Sequence, residues 1–134
     1  MNFVSIRVIT DDVQRLAAFY ATITGVEPVW GNPDFAELAM PHCTLAIAST
    51  RTMALFGRDA AHAADNHTVI IEFLVEDVDA EWERLTAHHL DIDLVNEPVT
   101  QPWGNRSLQF RDPDGNLINF FTPVTPEART KFGL

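Results

Sequence analysis

Two charged residues interrupt alternating apolar stretches: Arg7 in Phe3-Val4-Ser5-Ile6-Arg7-Val8, and Glu72 in Val69-Ile70-Ile71-Glu72-Phe73. They stand 65 positions apart in the same local context. A carboxylate among such neighbours must be solvated, paired or neutral. Three readings of Glu72 follow: an ion pair with Arg7, a hydrogen-bond acceptor for a ligand, or a general base. It is the best candidate for a catalytic residue. Other chemistry is thin. Among the 5 histidines, His42 falls in a turn, His62 and His67 in a long connection, and His88 and His89 at a helix end, where a cation suits the dipole. None has HxxxH or HExxH spacing, so a helix-borne zinc pair is not expected. The single cysteine, Cys43, rules out an internal disulfide or thiolate zinc cluster. It has no neighbouring His or basic cluster and reads as a packing residue. No GxSxG and no Gly-rich phosphate loop occurs, and the residues indicate no cofactor.

The surrounding composition narrows the partners. The chain has 134 residues, the length of one domain, with 46% hydrophobic and 21% charged residues. Its formal charge of −10 argues against nucleic acid or an anionic membrane, both of which require a dense basic face. No apolar run approaches the roughly 20 residues of a membrane span. The opening MNFVSIRVIT lacks a basic region followed by a long apolar stretch, so a cytoplasmic protein is expected.

The elements that must position Arg7 and Glu72 recur. Val4, Ile6 and Val8 alternate as one face of a strand. Asp11 and Asp12 offer N-caps to a helix carrying Val13, Leu16, Tyr20 and Ile23, which ends at Gly25. Strands are expected over about residues 27–31, 35–40 and 43–48, broken at Asn32-Pro33-Asp34 and Pro41-His42. The pattern then restarts. Val69, Ile71 and Phe73 alternate, Asp77-Val78 repeats Asp12-Val13, and Val78, Trp82, Leu85 and His89 form a second helical stripe. Strands over about residues 93–97, 106–111 and 117–122 follow, the last two joined by the tight-turn sequence Asp112-Pro113-Asp114-Gly115. Thr125-Pro126-Glu127 reads as the cap and first turn of a short helix. The expectation is an α+β fold of two tandem βαβββ modules that form a curved mixed sheet with a cleft. Residues 1–49 are the first module, 50–67 a connection, 68–124 the second module and 125–134 a tail, all within one domain over 1–134.

Strand alternation assigns the cleft lining. With Val4, Ile6 and Val8 toward the helix, Phe3, Ser5 and Arg7 face the cleft, joined by Thr44, Ala46 and Ala48. In the second module the inward set is Ile70, Glu72, Ser107, Gln109, Asn119 and Phe121. The small Thr44, Ala46 and Ala48 leave room. Phe3, Trp30, Phe35, Trp103 and Phe121 are candidate aromatic walls for a planar ligand. Met53 and Phe56 either touch ligand, pack beneath the connection or lie at a subunit contact, and Trp82 belongs to the core.

The runs Val4-Ser5-Ile6-Arg7-Val8, Ala18-Phe19-Tyr20 before Gly25, Val75-Glu76-Asp77-Val78-Asp79, and Pro102-Trp103-Gly104-Asn105-Arg106 leading to Phe110-Arg111-Asp112-Pro113-Asp114-Gly115-Asn116 resemble the vicinal oxygen chelate superfamily. That group includes glyoxalase I, extradiol dioxygenases, fosfomycin-resistance enzymes and bleomycin-binding proteins. The resemblance covers nearly the whole chain and implies the glyoxalase/bleomycin-resistance fold. It also implies that enzymes of the group hold a divalent metal through His, Gln or Glu on the first and last strands of each module. Here those positions fall on Phe3 (or Ser5, counting back from the helix cap), Ala46, Ile70 and Asn119, a set that predicts no metal site. The expected function is a metal-independent small-molecule binding protein that sequesters a hydrophobic or aromatic compound, as in drug or toxin resistance. The alternative is a glyoxalase-like lyase or isomerase, or another enzyme of the group, metal-independent and using Glu72. The resistance branch also implies a homodimer.

Overall fold

The computed structural model describes residues 1–88 and 90–134, so the expected place of His89 on the second helical stripe lies outside the described residues. The element order is β1 (Ser5–Thr10), α1 (Val13–Thr24), β2 (Val29–Asn32), β3 (Phe35–Ala39), β4 (Thr44–Ser49), a 3-10 helix (Thr50–Leu55), β5 (Ile70–Leu74), α2 (Val78–Ala87), β6 (Asp93–Thr100), β7 (Asn105–Arg111), β8 (Leu117–Pro123) and α3 (Pro126–Lys131). The strands form two four-stranded sheets, ordered β1-β4-β3-β2 and β5-β8-β7-β6. In each, the first and last strands of a βαβββ run pair in parallel and the remaining pairings are antiparallel. The α+β class and the repeated module are as the sequence implies.

The chain divides into two compact units. The first comprises Met1–Asn66 and the short turn Pro113–Gly115. Its helix α1 starts where Asp12 accepts the Arg15 backbone N–H and stops at Gly25, whose φ of 70° is the left-handed conformation open to glycine. Val13, Leu16, Ala17, Tyr20 and Ile23 are buried and lie against β3 and β4, which present Ala36, Leu38, Leu45 and Ile47. Side chains of this size stabilise by roughly 1.5–3 kcal/mol each when fully buried. Arg15 donates from Nη2 to the Pro113 carbonyl at 2.7 Å, which ties the short turn to α1.

The second unit comprises His67–Asp112 and Asn116–Leu134. Asp77 caps α2 by accepting from the backbone N–H of Asp79 and Ala80. Val78 and Leu85 are buried, whereas Trp82, expected in the core, is half-buried. Beneath α2 the sheet presents Leu108, Phe110, Ile118 and Phe120, with Phe120 edge-on to Phe73 and to Phe110. The turn before β8 is held by Asp112, which accepts the Asn116 backbone N–H at 2.9 Å and Nδ2 at 2.7 Å.

Most strand ends differ from expectation by one or two residues, and β2 starts at Val29 rather than at residue 27. The first strand runs Ser5–Thr10, leaving Phe3 and Val4 outside it, and the fourth begins at Thr44 rather than at Cys43. β6 extends to Thr100, and irregularities between Leu94 and Asn96 and between Asn96 and Val99 break its alternation, which hides it from a period-two reading. The 3-10 helix after β4 was not anticipated, because a single turn of this kind leaves no periodicity.

Two predictions arise here. The loop between β6 and β7 brings Gly104 (φ 90°) against the start of α3: its carbonyl accepts from the Val124 and Thr125 N–H groups, and a Cβ on it would fall 2.2 Å from Thr125 Oγ1. Thr125 Oγ1 is also the α3 cap, accepting from Ala128 N. Gly104→Ala should therefore combine backbone strain with a displaced cap and cost about 2 kcal/mol or more, a fall in Tm of roughly 5–10 °C by thermal melt. An unchanged Tm would refute this packing. The second concerns Arg106, which pairs with Asp79 through contacts of 2.5 and 2.7 Å and holds its carboxyl below the ordinary value of 3.8. A lowered folded value stabilises above the ordinary pKa and is lost as pH falls through the folded one. The pair is half-exposed, so its worth is about 1 kcal/mol or less. The difference in urea midpoint between wild type and Asp79→Asn should shrink between about pH 5 and pH 2.

Candidate functional site

The helices cover one face of each sheet, and the strand register fixes what stands on the other. In the first unit Ser5 lies beside Thr44 and Ala39, and one step along Arg7, Ala46, Glu37 and Val29 form a row across the four strands. Ala46 is buried to 2% exposure and carries only a methyl group, so the row dips between Arg7 and Glu37. Two interstrand spacings separate them, about 10 Å. The next row, Ile9, Ala48 and Phe35, is closed by Met53 from the 3-10 helix, with Ala61 packed alongside. The Arg7 guanidinium stands 5.4 Å from the centroid of Phe35 and 5.9 Å from that of Phe56, which holds a cation on two ring faces. Of the two residues in the connection, Met53 therefore packs as core and Phe56 meets Arg7.

The second unit carries a polar row. Glu72 of β5 is in register with Asn119 of β8, Asn119 with Gln109 of β7, and Gln109 with Asn96 of β6. Asn119 Nδ2 donates to Glu72 Oε2 at 2.7 Å, and Asn96 Nδ2 donates to Gln109 Oε1 at 2.9 Å. Asn119 is 7% exposed, and its Oδ1 is buried with no hydrogen-bond donor among the described residues. On one side of this row lie Ile70 and Leu117, and on the other Leu74, Phe121 and Ser107. Phe121 is backed by the Phe132 ring at a centroid distance of 5.2 Å.

Within their units, then, the structure brings Arg7, Ala46 and Phe35 to one face, and Ile70, Glu72, Ser107, Gln109, Asn119 and Phe121 to another. Ser5 joins the first set at its exposed end. Three aromatic candidates stand elsewhere. Phe3 precedes β1 and is 69% exposed. Trp103 sits in the β6–β7 loop and is 67% exposed. Trp30 pairs with Ala36, a residue of the helix-covered face, and lines a shallow groove with Gln14, Asn32 and Pro33. The register shift between Trp30 and Asn32 is what defeats a simple alternation count there. Two site residues were missed by sequence reading. Glu37 interrupts Phe35–Ala39 much as Glu72 interrupts its own strand, a signal that was present. Asn96 was obscured by the irregularities of β6.

The metal implied by the resemblance can be tested against these side chains. Ser5 or Phe3, Ala46 and Ile70 supply at most one neutral hydroxyl, and the Asn119 amide nitrogen is turned to Glu72. Divalent cations of catalytic sites require imidazole, carboxylate or several oxygens together. The donor set does not fit one, and no cluster of three or more His, Cys, Asp or Glu suited to a metal occurs among the described residues. What the faces offer is apolar area with a few fixed hydrogen-bonding groups.

No helix among the described residues is long and apolar enough to cross a membrane. Comparison with known proteins gives consistent matches. The uncharacterized protein YraH of Bacillus subtilis is 26% identical over 127 residues, covering 90% of this chain and 98% of that protein. A glyoxalase/bleomycin resistance protein/dioxygenase from Nocardioides superposes with a TM-score of 0.77 at 22% identity, covering 94% of this chain and 85% of that one. A family enzyme of the same description from Burkholderia phytofirmans superposes with a TM-score of 0.81 at 15% identity, covering 92% and 100%. At such identities the superpositions speak to fold alone. The sequence profile of the Glyoxalase/Bleomycin resistance protein/Dioxygenase superfamily matches residues 2–120, almost the entire repeat, and this chain belongs to that superfamily.

Proposed function

We propose that this member of the superfamily is a metal-independent small-molecule binding protein that sequesters a hydrophobic or aromatic compound, as in drug or toxin resistance, and that it works in the cytoplasm as a homodimer. The observation that carries the reading is the donor set: methyl, sec-butyl, hydroxyl or phenyl, and one carboxamide stand where a cation would need imidazole and carboxylate. The dip at Ala46 beside the stacked Arg7, and the apolar flanks of the polar row around Glu72, supply buried area and orientation for a ligand without supplying an electrophile. The homodimer is supported by the exposed Leu94, Val95 and Val99 along β6, apolar surface on an edge strand. A single cysteine, Cys43, suits a reducing compartment.

One observation favours a second reading, an enzyme that uses Glu72 as a general base. Asn119 fixes one Glu72 oxygen, which leaves the other oriented for a substrate proton. Glu72→Gln separates the two. A base loses turnover, whereas a binding group changes affinity.

The experiment for the main reading is titration of the purified chain with 1-naphthol, followed by tryptophan fluorescence before and after exhaustive chelation, with metal content measured by elemental analysis. The expected result is saturable quenching whose midpoint is the same within about twofold in chelated and untreated protein, since no binding term passes through an ion. Stoichiometric metal together with loss of binding on chelation would overturn it. Analytical ultracentrifugation at micromolar concentration checks the dimer, and a monomer throughout would remove it.

A further inference from the structure

We infer that the compound held on the face of the second unit's sheet away from α2 binds as a planar N–H donor of the amidinium class, seated on Asn119 Oδ1 and the free oxygen of Glu72. This inference rests on the binding reading above and names its ligand chemistry. An ionised carboxylate only accepts hydrogen bonds, so the Asn119 atom 2.7 Å from Glu72 Oε2 is the amide nitrogen and the orphaned atom is the oxygen. The Asn96 amide is oriented the same way, its nitrogen toward Gln109. Across the sheet order β6-β7-β8-β5 both donors point toward Glu72, and the chain of bonds is interrupted at Asn119 Oδ1.

Polarity follows from that direction. A carboxylate accepting from one end of an amide draws electron density toward the other, which makes Asn119 Oδ1 a stronger acceptor. Glu72 Oε1 and Asn119 Oδ1 thus present two acceptors from neighbouring strands, on side chains joined by the Nδ2–Oε2 hydrogen bond. Two N–H groups diverging from one planar carbon match such a pair, and a positive charge spread over them suits the carboxylate. The flanks Ile70, Leu117, Leu74 and Phe121 are apolar, which suits a flat hydrophobic body. Arg111, on the same face, lies two strands from Glu72 and opposite Asp93 in the register. An anionic isostere would set oxygen against oxygen, so the row selects against carboxylates as well as for donors.

The test uses three probes of one shape, benzamidine, benzamide and benzoate, with 1-naphthol as an uncharged aromatic control, titrated into the full chain by NMR. Benzamidine should bind about 10-fold or more tighter than benzoate, with benzamide between, the size expected for charge-assisted hydrogen bonds. It should also shift the Asn119 side-chain amide resonances. Glu72→Gln and the near-isosteric Asn119→Leu should each weaken benzamidine about 10-fold while the dispersed amide spectrum stays that of the folded protein, which separates lost recognition from lost folding. If 1-naphthol binds but benzamidine and benzoate bind alike, or if Glu72→Gln leaves benzamidine unchanged, the donor assignment is wrong and the capture reading stands. If none of the aromatic probes binds, both are wrong.

Discussion

The parallel pairing of the first and last strand in each unit is the constraint on which the site depends. A parallel pair cannot be joined by a hairpin, so α1 and the antiparallel strands must be inserted between β1 and β4, and α2 with its strands between β5 and β8. The inserted helix covers one sheet face with Leu16, Tyr20 and Ile23 in the first unit and Val78 and Leu85 in the second. The other face is thereby left, apart from the Ile9–Ala48–Met53 cluster and the buried Ser107 and Phe121, for residues that helix packing does not choose. It is this pairing that puts Arg7 beside Ala46 and Glu72 beside Asn119, partners remote in sequence but adjacent in register.

The two faces then diverge in chemistry although the backbone repeats. In the first unit the central row is a guanidinium clamped on two rings, a methyl and a carboxylate. In the second it is a carboxylate followed by three carboxamides, with hydrogen bonds running one way. A buried amide oxygen without a donor is costly, about 1–3 kcal/mol in folding, and such a cost persists more readily where a ligand or ordered water repays it. A shared superfamily fold therefore carries no fixed chemistry, since function rests on which side chains occupy these rows.

Much of this was legible in the sequence for identifiable reasons. Asp77 caps α2 and, of the two candidates Asp11 and Asp12, the second caps α1, while Gly25 and Asp112–Gly115 mark stops. The period-two patterns of β1, β5, β7 and β8 assign faces correctly because a one-residue error would bury Arg7 or Glu72 against a helix. What escaped lay where the period breaks. Trp30 and Asn96 sit at register shifts, so counting carries the wrong parity past them. Phe3 and Trp103 lie just beyond strand ends, where alternation no longer aims a side chain. The orphaned Asn119 oxygen was invisible to any pattern, since it exists only once Glu72 has claimed the nitrogen.

On the proposed reading these sheet faces recognise molecules through apolar area and fixed hydrogen-bonding groups, without a cation. Titrating Mn2+ into isotope-labelled protein and following paramagnetic broadening residue by residue decides the matter. The expected result is weak, unsaturated broadening scattered over surface carboxylates, with none centred on Ser5, Ala46, Ile70 and Asn119. Saturable, stoichiometric broadening centred on those four residues would contradict it.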